Sequence, residues 1–300
     1  MRVADVADRP MVANSASVVL AGTQTLRPGR VVAKTVQVTE KAALLRSLHV
    51  PGAPLVLANA WDAASARIAE EAGSPVVATT SAGVAWSLGA PDGDTLDRDL
   101  AVDAVRRVVA AVSVPVTADI ESGFGEDPTG VAETVRRMVA AGAAGINLED
   151  SVRPIPEYVA RLTAARAAAP AEVLFINARI DTYLRGSGDL EETVARAGAY
   201  LAAGADGIFV PGAVDPAVVA ALVERIPAPL NILVWPGAPT VTELAKLGVA
   251  RVSLGSGVAE AAYAVMRRAV REALSSGTYT SIADAIAYGD LNGLIGDGRP

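Results

Sequence analysis

The chain of 300 residues has no cysteine and a single histidine, His49. Without cysteine there is no disulfide, no thiolate nucleophile and no iron–sulfur ligation. One histidine argues against a multi-histidine zinc centre and against a Ser–His relay. Lysine occurs only as Lys34, Lys41 and Lys246. The first two precede the folded core and the third lies in the helical run TVTELAKLG, so a Schiff-base lysine at a strand end is not expected. No apolar run approaches the ~18 residues of a spanning helix. The N-terminus alternates charges and lacks a signal-like apolar core, so a cytoplasmic protein is expected. A net charge of -7 argues against nucleic acid or an anionic membrane as partner. Carboxylates, arginines, backbone amides and a hard metal are left to carry chemistry.

What is present is apolar and repetitive: hydrophobic residues make up 51% of the chain, and α/β barrels routinely use this length as one domain. Residues 1–38 show no sustained periodicity and read as a flexible extension. After them short β-branched runs recur: LVLAN, VVATT, VPVTAD, GINLED, VLFINAR, GIFVPG, LNILVW and RVSLG. Between them lie helical patterns such as AASARIAEEAG, DLAVDAVRRVVAAV, GVAETVRRMVAAGA, LEETVARAGAYLAAGA and DPAVVAALVERI, several closed by a glycine suited to a C-cap. Strands alternating with helices imply parallel pairing. Eight such units imply an α/β fold of the (β/α)8 barrel type over residues 39–275, followed by a helical tail over 276–300. A doubly wound open sheet is the alternative, but no GxGxxG follows the first strand.

In a barrel, chemistry gathers at the C-terminal ends of the strands. The run PVTADIESGFGED places Asp119 and Glu121 where a buried strand stops. Such carboxylates repel each other and resist desolvation, so a compensating group is expected. Asp119, Glu121 and Glu149, from adjacent strands, form an oxygen-only set suited to Mg²⁺ or Mn²⁺ with several waters retained. Glu126 and Asp127 fit loop and cap roles instead. Arg179, ending an apolar strand, can clamp a substrate carboxylate bidentately or pair with a neighbouring acid. The TTSAGVAW turn offers backbone amides that an anion can approach. SLGSG either resembles a barrel phosphate site or simply turns the chain. Asp62 reads as the N-cap of the first barrel helix, Trp61 as a pocket wall, and His49 as structural at the opposite end of the barrel.

LVLANAWDAASARIAEEAG, ATTSAGVAWSLGAPDGD, TADIESGFG, INLEDS, NARIDTYL, AGADGIFVPG and LGVARVSLGSG follow one another in order. Together they resemble the isocitrate lyase/phosphoenolpyruvate mutase superfamily over roughly residues 40 to 275. The resemblance implies a (β/α)8 barrel, Mg²⁺ dependence, a 2-oxo acid or its enolate at the metal, and oligomers that exchange a terminal helix. By position, Asp119 and Glu121 match the family's metal-holding acid pair, with Glu replacing the commoner second Asp. Glu149 and Asp92 match acids that hold metal-bound water. Ser81, Ala82 and Gly83 match the turn whose amides hold the substrate carboxylate, Arg179 the substrate-binding arginine, and Asn231 a further substrate contact.

The same resemblance exposes departures. Isocitrate and methylisocitrate lyases carry a cysteine acid/base in a Lys-Lys-Cys-Gly-His loop after strand four, and the mutases a gating Lys and Asn. This chain has EDSVRPIPEYVARL there, leaving Arg153 and Tyr158 as the only candidates for gating or proton transfer. The expected activity is therefore Mg²⁺-dependent lysis of a C–C or P–C bond in a small 2-oxo or 2-hydroxy acid through a metal-stabilised enolate. An oxaloacetate decarboxylase-like enzyme, a phosphonopyruvate hydrolase- or mutase-like enzyme, or a non-catalytic 2-oxo acid-binding barrel are the alternatives. The expected partners are a small carboxylate and copies of the same chain, as a homodimer or homotetramer.

Overall fold

A computed structural model of the chain describes residues 28–296. Its eight strands, β1 (Leu55–Ala60), β2 (Val77–Thr79), β3 (Val116–Asp119), β4 (Gly145–Glu149), β5 (Phe175–Arg179), β6 (Gly207–Phe209), β7 (Leu230–Leu233) and β8 (Arg251–Ser253), match the eight expected runs. All pair in parallel and in chain order, and β1 meets β8 with Leu55 opposite Arg251, so the sheet closes. Both faces of such strands are covered, which is why they read as short, nearly continuous apolar runs.

The helices among the described residues are α1 (Pro28–Ser47), α2 (Ala63–Glu71), α3 (Ser81–Ser87), α4 (Arg98–Ala111), α5 (Pro128–Ala141), α6 (Ile155–Ala168), α7 (Thr182–Arg185), α8 (Leu190–Ala202), α9 (Pro216–Arg225), α10 (Val241–Lys246), α11 (Gly257–Ser276) and α12 (Tyr288–Gly296). Asp62 caps α2 in a reciprocal box with Ser65, and Asp127 caps α5, the roles expected of both. Gly142 ends α5 at φ 105, where a residue with a Cβ is disfavoured. The boundary expected at residue 38 falls inside α1, which starts at Pro28; the rest of the expected extension, 1–27, lies outside the described residues.

The main apolar core lies between sheet and helices. Met138, Ile146, Leu162, Ile176, Leu222 and Val252 belong to one continuous buried cluster. The barrel's opposite end is plugged by α1. Leu45 is fully buried against Gly145, where an added Cβ would lie 2.6 Å from the Leu45 side chain. His49 stacks on Phe175 at 4.2 Å, its Nδ1 2.7 Å from the Leu45 carbonyl oxygen. At the C-terminal end of the chain α12 folds back on α2, where Arg67 donates to the Leu294 carbonyl at 2.8 and 3.0 Å. Within the single chain Met266, Leu274, Ile282 and Ile286 remain exposed. None of the helices is long and apolar enough to cross a membrane, among the described residues.

Candidate active site

The upper rim is built by strand ends in register. Asp119 lies opposite Asn147, and Glu149 opposite Arg179. Arg179 is thereby set between two acids: Nη1 lies 2.8 Å from Glu149 and Nε 2.7 Å from Asp181. Burial works against its charge, but Glu149, Asp181 and Asp119 outweigh burial and hold it protonated. Both of the roles weighed for Arg179, ion pairing and a place at the pocket, are thus present together. Asp119 accepts from Ser81 Oγ at 3.2 Å and from the Glu121 amide at 3.3 Å, while its own amide donates to Thr79 Oγ1 at 2.9 Å.

These residues open onto a cavity of about 230 Å³ lined by Ser81, Ala82, Asp92, Asp119, Arg179, Asn147, Ser253 and Gly255, among others. Asn59 shapes one wall, since its Oδ1 accepts from the amides of Leu254 and Gly255 at 3.1 and 2.9 Å. That contact accounts for the SLGSG turn. A larger cleft of about 820 Å³ lies alongside, walled by Arg98, Arg153 and Arg161. Two of its arginines are spent on backbone: Arg98 holds the Phe124 carbonyl at 2.6 Å and Arg161 that of Gly125 at 2.9 Å. We therefore place the chemistry in the smaller cavity.

Five expected residues thus converge (Ser81, Ala82, Asp92, Asp119 and Arg179), and five are set back from the cavity. Glu121, at φ 50, turns to the GAPDGD loop and accepts from the amides of Gly93 (3.0 Å) and Asp94. Glu149 faces Arg179 and accepts from Ser151 Oγ at 2.9 Å. Gly83 is glycine for packing: an added Cβ would lie 2.7 Å from Thr80 Cγ2 and 2.9 Å from Trp61 Cβ. Trp61 supports α3 from beneath instead of walling the pocket. Asn231 is buried under the cavity floor, accepting from Ser253 Oγ at 3.1 Å.

Burial raises all three rim acids. Glu121 and Glu149 reach about 7, opposed respectively by the Asp94 amide and by Arg179, with neighbouring acids adding to the rise. Asp119 is raised too, by burial and by Asp92, against Arg179. Carboxylates driven toward neutrality by burial, with neighbouring acids adding to it, mark a place where a cation would be stabilised. No three such side chains form a ready metal cage among the described residues. Asp119 and Asp92 line the cavity and Glu121 and Glu149 stand behind it, an all-oxygen donor set whose chemistry fits a hard cation such as Mg²⁺.

Sequence reading missed the support behind this rim. Asp150, fully buried, accepts from the amides of Val152 (2.9 Å) and Asp181 (3.1 Å), and from Arg196 Nη1 (3.1 Å) and Tyr200 OH (2.8 Å). Ser151 and Val152 are both left-handed, at φ 47 and 57, which costs of order 1–3 kcal/mol each and needs such a clamp. The signal was Arg196 and Tyr200 four apart on an otherwise apolar face of α8. Tyr158 donates to the Leu148 carbonyl at 2.6 Å from full burial, which removes it from gating. Arg153 stands at the cleft, 3.2 Å from Glu157.

Residues 45–274 match the family described as phosphoenolpyruvate phosphomutase. The uncharacterized protein Rv1998c of Mycobacterium tuberculosis (strain ATCC 25618 / H37Rv) is 39% identical over 83% of this chain and 95% of its own. Oxaloacetate decarboxylase 2 of Pseudomonas putida (strain W619) is 33% identical over 66% of this chain and 68% of its own. The crystal structure of a phosphonopyruvate hydrolase in complex with oxalate and Mg²⁺ superposes with a TM-score of 0.75 at 28% identity, covering 86% of this chain and 95% of that one. With its closed barrel and its acid- and arginine-lined mouth, the chain is an enzyme that belongs to the phosphoenolpyruvate phosphomutase family, within the isocitrate lyase/phosphoenolpyruvate mutase superfamily.

Proposed function

We propose that the protein is a Mg²⁺-dependent lyase that cleaves a C–C or P–C bond of a small 2-oxo or 2-hydroxy acid. The observation that carries this reading is the meeting of Asp92 and Asp119 with Arg179 in one cavity of about 230 Å³. That size suits an acid of a few carbons. The guanidinium of Arg179, pre-aligned by Glu149 and Asp181, presents its remaining donors to a carboxylate, and the first amides of α3 at Ser81 and Ala82 approach from the other side. Asp119 and Asp92 would hold the cation, with Glu121 and Glu149 reaching it through water. When bound, Mg²⁺ supplies Lewis-acid stabilisation of the negative charge that develops on the substrate oxygen beside the carboxylate.

The β4–α6 loop, EDSVRP, has no cysteine, histidine or lysine for proton transfer. That absence favours reactions needing less acid–base assistance, such as decarboxylation of an oxaloacetate-like acid or hydrolysis of a phosphonopyruvate-like one, as second readings. The discriminating experiment is a panel of C4 to C7 oxo and hydroxy acids, with and without Mg²⁺, followed for pyruvate, CO₂ and phosphate. Mg²⁺-dependent release of one of these is expected. Turnover that persists unchanged in a chelator refutes the proposal.

A further inference from the structure

Below the substrate cavity the barrel interior is polar where barrels are usually filled by branched apolar side chains. Its middle layer holds Thr117, Asn147, Asn177, Asn231 and Arg251, all buried. Arg251 is the largest fully buried side chain among the described residues. Its Nη2 lies 3.3 Å from Asn147 Oδ1 and its Nε 3.4 Å from Ser253 Oγ, both long contacts to neutral groups. Its Nη1 has no partner, and neither do Asn231 Nδ2 and Thr117 Oγ1 nearby. Among the described residues no carboxylate forms an ion pair with it; the acid whose charge reaches it is Asp119, one layer above.

An uncompensated buried guanidinium is costly, and an apolar residue of similar volume would stabilise the fold. Its retention needs a reason, and the connectivity supplies one. Asn147 and Ser253, the two groups Arg251 contacts, are also floor residues of the cavity. A ligand resting on that floor is separated from the buried cation by one layer of side chains, and a buried charge is screened by salt much less than an exposed one. We propose that Arg251 is a specificity-determining cation of the active site, acting through the floor to favour doubly charged over singly charged carboxylates without touching them. It works from below as Arg179 works from the side. Burial lowers the affinity of Arg251 for its proton only to about 9, so the group is charged at neutral pH.

This inference rests on the reading of the cavity as a small-carboxylate site, and the test separates the two. Oxalate, a dianion, and pyruvate, a monoanion, are titrated calorimetrically into the Mg²⁺-loaded parent and into Arg251→Met, Arg251→Lys and Asn231→Asp, with folding checked by circular dichroism. Arg251→Met is expected to weaken oxalate by about tenfold or more, roughly 1.4 kcal/mol, and pyruvate by about threefold at most. Arg251→Lys at about pH 6.5, where a buried lysine more readily keeps its proton, is expected to retain the oxalate preference. Asn231 lies off the cavity lining and opposite Arg251 in the β7–β8 register, so Asn231→Asp sets a carboxylate beside the guanidinium that offsets its charge without removing it. It should reproduce the loss even if Arg251→Met does not fold. A folded Arg251→Met or Asn231→Asp with the parental oxalate-to-pyruvate ratio overturns the inference alone. A parent that binds neither anion overturns the cavity reading and the inference with it.

Discussion

Asp150 offers a perturbation whose cost can be worked from the contacts. Oδ1 takes the amides of Val152 and Asp181, and Oδ2 takes Arg196 and Tyr200. In Asp150→Asn the retained oxygen still serves the two amides if the new NH₂ faces Arg196 and Tyr200. The tyrosine hydroxyl can rotate to accept, but the guanidinium cannot. One charged hydrogen bond is lost, which is worth about 1.5–3 kcal/mol. Breaking a buried pair outright costs about 3–5 kcal/mol. The lower range applies here because Arg196 keeps Glu192 at 2.7 Å and the Arg153 carbonyl at 2.8 Å. At roughly 2–4 °C per kcal/mol for chains of this order, a fall in Tm of about 3–12 °C is expected. Oxalate affinity should barely move, since Arg179 keeps its frame. Asp150→Ala is different: it frees both amides, releasing the left-handed turn at 151–152 and the Asp181 support of Arg179, and oxalate should weaken by about tenfold, roughly 1.4 kcal/mol. Scanning calorimetry and oxalate titration well below both melting points measure the two effects. An Asp150→Ala protein that is less stable but binds oxalate like the parent would show that Asp150 holds the fold and not the site.

Four further outcomes are expected. Gly83→Ala should push α3 away from Thr80 and Trp61, costing about 1–3 kcal/mol of stability as overpacking does and weakening carboxylate binding in a titration; a neutral effect would mean α3 can yield. Asp119→Asn should raise the Mg²⁺ requirement and weaken oxalate together, and unchanged Mg²⁺ dependence of oxalate binding would return this acid to a structural role. In the metal-free protein Glu121 and Glu149 have folded pKa values of about 7, above their unfolded values, so the stability they contribute is present at low pH and lost as pH rises toward 7. Mg²⁺ competes with those protons and should therefore raise Tm more at about pH 8 than at about pH 5 in a fluorimetric melt; equal shifts at both would contradict the assignment. Isocitrate and 2-methylisocitrate should be cleaved negligibly, because a missing acid–base group typically costs 10²–10⁴-fold, and robust glyoxylate or pyruvate release from them would demand a substitute acid.

The fold was legible because barrel strands announce themselves twice, by β-branched runs and by the helical spacing between them. Asp119, Ser81 and Arg179 were legible because polar residues at or just past the end of an apolar strand stand out, whereas Asp92, in the GAPDGD loop between α3 and α4, was picked out only by the family resemblance. Glu121 was read as a ligand from its i+2 spacing, which assumes continued strand geometry. The chain instead turns left-handed at φ 50 and aims that carboxylate at the Gly93 and Asp94 amides. Trp61 was read as a pocket wall from its place beside Asp62, and Gly83 as part of the carboxylate-holding turn from the family resemblance; in the fold Gly83 sits in the first turn of α3 with its missing side chain facing Trp61, and neither lines the cavity. Arg251 was invisible for the opposite reason. A charge opening a short strand looks like a surface residue until the barrel closes around it.

The plug that α1 makes has a corollary for access. With Leu45, Phe175 and His49 buried across the lower opening, the barrel is a vessel with one mouth. A ligand approaching the layer of Arg251 and Asn231 can come only from above, past Asp119 and Arg179. The seal sets the direction of access: a single route in and out makes the residues at the mouth, Asp119 and Arg179, gatekeepers as well as binders, while Leu45 keeps the other end shut.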